Sequence, residues 1–145
     1  NSLTDMTDSG LLADHMIWAA TAGGVGDQAY NIVNGDVFRW RRLWPRLAAA
    51  LGVEAAPFDG EPAPLEQQMA DAGEIWPAVI RRHGLRELHI ERLASWWHTD
   101  ADLGRTIETF TDMGKSRRLG FLGVRDTESS FTDLFARLRA ARIVP

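Results

Sequence analysis

The stretch from residue 37 to 52 constrains the fold more than any other part of the chain. Val37, Trp40, Trp44, Leu47 and Leu51 recur every three to four residues, Arg39, Arg41, Arg42 and Arg46 fill positions between them, and Gly52 comes next. This spacing predicts an amphipathic helix with an apolar face in the core and an arginine-rich face in water, stopped by the glycine. Pro45 falls inside the pattern. An interior proline lacks the amide donor and crowds the preceding turn, at about 3 kcal/mol, so a kink is expected, or a short first turn followed by a second helix. With 145 residues, 45% apolar and 25% charged, the chain amounts to one domain. A domain of that size buries enough surface to need neither disulfide staples nor a structural metal.

Composition removes whole classes of chemistry. Cysteine is absent, which excludes zinc ribbons, thiolate ligands and cysteine nucleophiles and fits a reducing compartment. The net charge of −4 offers no general attraction for nucleic acid. Lys115 is the sole lysine; every other cation is an arginine. No apolar run approaches the roughly 20 residues of a membrane span, and the polar start NSLTDMTDSG does not read as a signal peptide. The expected partners therefore include neither nucleic acid nor membrane, and the expected setting is cytoplasmic.

Around the central helix the chain reads as mostly helical with two or three short strands, an α+β arrangement. Residues 2–7 suggest a short strand or extended lead-in. Asp8 or Ser9 caps a helix to about Ala22 with Leu12, Met16, Ala19 and Ala20 as its inner face and Gly23-Gly24 as its stop. Residues 29–34, AYNIVN, have the β-branched and aromatic character of a buried strand, and Asn34-Gly35-Asp36 reads as a turn with a cap for the next helix. Residues 53–64, with three prolines, form a loop. Helices are expected over 65–71 and 74–82, with Pro77 in a first turn and Gly84 as a stop. A further helix is expected to end near Trp97, followed by a turn and a strand over 107–110. Asp112 to Leu119 predicts a brief helix, and Ser130 caps a last one presenting Phe131, Leu134, Phe135, Leu138 and Ala141.

No chemical motif stands out. Gly23, Gly24 and Gly26 lie after a helix and before a strand, the reverse of the order a dinucleotide fold requires, and no glycine-rich run precedes Lys115. His15, His83, His89 and His98 form no metal-binding pair; His83 and His89, six apart, do not align on one helical turn. No nucleophile elbow surrounds Ser95. Trp96-Trp97-His98 is more informative, because adjacent aromatics cannot share one face. The run suits either a pocket wall for an apolar ligand bearing one oxygen, or packing beside a surface histidine.

Several runs together resemble one family. Residues 29–40, AYNIVNGDVFRW, then Leu43-Trp44, Trp96-Trp97-His98-Thr99-Asp100, Lys115-Ser116 with Gly120-Phe121, and the Arg142-Ile143-Val144-Pro145 ending are similar to the C-terminal part of progesterone 5β-reductase and iridoid synthase-like proteins. These are atypical extended short-chain dehydrogenase/reductases. The resemblance implies an enzyme with a Rossmann part that binds NADPH and a smaller helical part that closes over a small apolar carbonyl substrate. Hydride would go to the β-carbon of an activated enone while a tyrosine, with a lysine nearby, stabilises the enolate oxygen. It further implies that residues 1–145 are the substrate-binding part, that His98 occupies a cavity-lining position usually held by phenylalanine, and that Trp97 and Trp96 lie beside it. Histidine there makes the wall more polar.

Tyr30, the sole tyrosine, and Lys115 do not match the family's catalytic positions. The expectation is a chain with no catalytic residues, metal ligands or tight NADPH site of its own, whose Rossmann domain and catalytic pair lie upstream. A different reading is a non-catalytic helical interaction module that keeps the same fold, dimerising through apolar surface that the absent half would cover.

Overall fold

The computed structural model describes residues 2–145. Strand β1, Leu3–Thr4, and helix α1, Ser9–Thr21, lead into an extended segment through residue 37. Strand β2, Phe38–Arg39, comes next and runs directly into helix α2, Trp40–Leu51. Then come α3, Leu65–Gln68; α4, Ala72–His83; a 3-10 turn at Ile90–Arg92; α5, Trp96–Leu103; α6, Gly114–Arg118; and α7, Thr127–Ala140. The two strands pair antiparallel, Leu3 opposite Arg39 and Thr4 opposite Phe38. The architecture is α+β and mostly helical. No helix among the described residues is long and apolar enough to cross a membrane.

Local signals place most helix ends. The Asp8 carboxylate accepts from the amides of Gly10 and Leu11 at 2.8 and 3.0 Å, satisfying donors that the first turn of α1 would otherwise leave open. Gly52 and Gly84 stop α2 and α4 in the left-handed region at φ 73° and 62°. The expected break at Pro45 does not occur; α2 runs through it as one helix, held by packing against α7. Its buried side chains are Leu43, Leu47 and Ala48, whereas Trp44, and Val37 ahead of the helix, are about half exposed. Helix α4 starts two residues earlier than its pattern suggested, which puts Pro77 in its interior.

Other expectations are corrected. In α1 the inward residues are Leu11, His15 and the half-buried Trp18, while Leu12 and Met16, expected inside, are exposed. The 29–34 segment is extended but joins no ladder, because different neighbours take its backbone groups one at a time. Asn34 N–H donates to the Met6 carbonyl, the Thr7 hydroxyl donates to the Ile32 carbonyl, and Arg125 N–H donates to the Asn34 carbonyl. Residues 107–110 are likewise irregular, pinned to the first strand by Thr109 N–H donating to the Leu3 carbonyl. The helix expected to end near Trp97 instead begins at Trp96. The last helix starts at Thr127 under an Asp126 cap, ahead of Ser130.

Two apolar groups hold these pieces. Leu11, Val33, Met113 and Phe121 are buried together, with Trp18 and Ile32 packed on them. Phe38, Trp40, Phe131 and Phe135 stack where β2 and α2 meet α7, with ring centroids 5.2 to 6.2 Å apart and mostly edge-to-face. Arg139 then closes the α2 end by donating to the Ala50 and Leu51 carbonyls, which the helix leaves without amide partners.

Candidate functional site

The sequence singled out Trp96, Trp97 and His98, which form the first turn of α5. Helix α5 packs on α3, and the Asp100 carboxylate accepts from the Leu65 and Glu66 amides at 2.7 and 3.0 Å, capping α3 from across the contact. Trp96 is half-buried, whereas Trp97 is 64% exposed and the His98 side chain is exposed as well. The Trp97 and His98 rings stand edge to face at 5.4 Å, and His98 Nε2 lies 3.8 Å from Asp102 Oδ2. The three residues thus form an open aromatic and imidazole ledge on the surface of the chain.

A second group, which the sequence suggested only as a turn and a cap, lies where the starts of α1 and α7 meet. The Asn34 side chain is 1% exposed; its oxygen accepts from the Asp8 amide at 2.6 Å and its nitrogen donates to Thr127 Oγ1 at 3.0 Å. The Thr127 hydroxyl and amide donate to the two Asp36 carboxylate oxygens at 2.6 and 2.9 Å. The Ser130 hydroxyl donates to Asp8. Gly35 turns the chain at φ 103°, and a Cβ there would also press on Val124 at 3.2 Å. Asp36 therefore caps a helix 91 residues away in sequence rather than the adjacent one. Only the Asn-Gly-Asp turn is visible in the sequence; the partner is set by tertiary structure.

A cleft of about 450 Å³ opens beside this junction, lined by Asp5, Asp8, Ser9, Phe131, Leu134 and Arg137 among others. The Asp8 carboxyl is held below the usual carboxylate range, first by the Ser130 hydroxyl and next by the Leu11 amide; partial burial opposes them, and Gly10 and Arg125 add smaller effects. Asp126 is lowered too, mainly by the Ser129 amide and hydroxyl. Of the carboxylates that line the cleft, Asp8 is committed to the α1 cap and Asp5 accepts from the Thr111 amide.

His15 and Ser116 are a third candidate. His15 Nε2 lies 3.0 Å from Ser116 Oγ, the reach of a base and its nucleophile, but both side chains are buried. The His15 ring sits 4.7 to 5.7 Å from those of Phe121, Trp18 and Tyr30, and burial pushes its pKa down. Its surroundings are aromatic rings, where a catalytic triad would place a carboxylate to orient the imidazole. The pair acts as a polar contact within an aromatic core.

The glycine cluster is not arranged as a dinucleotide turn: Gly23, Gly24 and Gly26 lie beyond the C-terminal end of α1, whereas a pyrophosphate is received at a helix N-terminus. The Tyr30 hydroxyl donates to the Val25 carbonyl at 2.7 Å, and the Lys115 ammonium donates to the Ala29 carbonyl while lying 4.7 Å over the Tyr30 ring. Tyrosine and lysine do meet, but each is engaged locally. No cluster of three or more metal-ligating side chains occurs among the described residues.

Over nearly its whole length the chain is similar to a C-terminal part of iridoid synthases, as its motifs indicated. It is similar to the (S)-8-oxocitronellyl enol synthase of Antirrhinum majus, 38% identical over 144 residues that cover 99% of this chain and 37% of that protein. The corresponding Camptotheca acuminata enzyme is 38% identical over 148 residues, covering 100% of this chain and 37% of that protein. The Nepeta cataria enzyme is 38% identical over 144 residues, covering 98% and 37%. The chain thus spans little more than a third of the length of these curated relatives. No protein-family model matches it.

Proposed function

We propose that this chain is the substrate-binding portion of an NAD(P)H-dependent short-chain reductase acting on the carbon–carbon double bond of an activated enone, and that it is inactive alone. The observation that carries this reading is the similarity to enol synthases over 98 to 100% of the chain. An enol is the product when hydride adds to the β-carbon of an enone and the oxygen takes a proton, so the name of those relatives agrees with conjugate reduction. The resemblance implies that NADPH and the tyrosine–lysine pair belong to an upstream Rossmann part.

Within this division the chain supplies a wall rather than a reaction centre. Trp97 is a broad apolar surface against which a small carbonyl substrate packs, Trp96 anchors it to the rest of the chain, and His98 adds one polar edge that can meet an oxygen. Closing such a wall over a bound enone excludes water, which strengthens whatever stabilises the enolate. Two measurements test this. The purified 145-residue chain leaves NADPH absorbance unchanged in the presence of an enone; consumption would overturn the inactivity. In the full-length protein, His98→Phe shifts KM and substrate scope toward less polar enones; identical kinetics for every substrate would remove His98 from the site.

A further inference from the structure

We infer that the outer face of α1 is the surface on which the upstream polypeptide of the full-length protein docks; this rests on the functional reading above and adds to it a defined interface. Helix α1 reads SGLLADHMIWAAT, in which Asp14 is the one acidic residue and the one histidine is buried. Leu11, His15 and Trp18 turn inward. Opposite them, Met16 and Ile17 are 63% and 62% exposed and Leu12 is partly so, with Ala13 and Ala20 between. A helix that is apolar all round is one that is covered all round. This chain covers one side.

The inward side is already filled: Gly123 packs so closely on Leu11 that a Cβ would sit 3.0 Å from its Cδ1. An uncharged helical face of this kind excludes nucleic acid and phosphate ligands and calls for another apolar polypeptide surface. The relatives say which one. They match this chain over only 37% of their length, through a C-terminal part, so the bulk of each lies ahead of it.

The test compares Met16→Lys with Ile17→Lys, made together, in two settings: the 145-residue chain and the full-length protein carrying the upstream part. Lysine is a good helix former, and both sites are in water in the short chain, so its melting temperature holds within about 2 °C. In the full-length protein the same pair is buried at the interface and lowers the melting temperature by about 5 °C or more. Phe58→Lys, in the exposed 53–64 loop, is silent in both. An unchanged full-length protein overturns the proposal. So does an equal loss in the short chain, or sedimentation of the short chain as a dimer that the lysine pair splits, since either result hands the face to this chain itself. Enone reduction by the unsubstituted full-length protein is assayed in parallel: its absence removes the functional reading alone, and activity without the melting difference removes the interface alone.

Discussion

Asn34 has both ends of its amide committed, one to the start of α1 and the other to the start of α7, and it is shielded from water. A buried polar group that loses its partner costs about 1–3 kcal/mol. Asn34→Ala orphans the Asp8 amide and removes the donor to Thr127, so we predict a stability loss of about 2 kcal/mol or more, read from urea unfolding. His15 gives a pH signature. Burial lowers its folded pKa, so below its ordinary value near 6.5 the unfolded chain takes up a proton that the folded one refuses. Stability therefore falls as pH drops from about 6.5 toward the folded value, and His15→Leu flattens that part of the profile in unfolding experiments between pH 7 and 5. Asp8 works lower down: its depressed folded pKa gives stability that is present above the ordinary carboxylate pKa and is lost as pH falls through the folded one. Gly123 is limited by space, since a Cβ would meet the Phe121 ring at 2.7 Å. Gly123→Ala is expected to dislodge that ring from the core.

Among the elements, α2 carries a cost that substitution can recover. Pro45 is the sixth residue of a twelve-residue helix and lacks the N–H that would donate to the Arg41 carbonyl. We predict that Pro45→Ala raises stability, by up to about 3 kcal/mol, visible as a higher melting temperature with unchanged helicity. The 53–64 loop is the opposite case. It contains no helix or strand, and Phe58 is 77% exposed at its centre, so chymotrypsin is expected to cut first after Phe58. Elements whose limits are set by adjacent residues were legible in the sequence: Asp8 starts α1, and Gly52 and Gly84 end α2 and α4. Those set by distant partners were not. Asp100 caps α3, Asp36 holds Thr127, and β2 lies after the β-branched run at 29–34 rather than within it. The inner face of α1 was illegible for a different reason: periodicity cannot select a side when every side is apolar.

At the level of the molecule, the candidate site divides in the same way. The aromatic run at 96–98 was visible because tryptophan is costly to leave in water, yet its open position on the surface depends on α5 beginning where it was expected to end. The polar junction lay in plain view as Asn-Gly-Asp but without its partners. That junction has a consequence for biogenesis. Asp8 waits for Ser130, and Asn34 waits for Thr127, 93 residues later. A nascent chain cannot close either link until residues 127–130 have left the ribosome, so α1 stays untied from α7 for as long as the segment between them takes to be made.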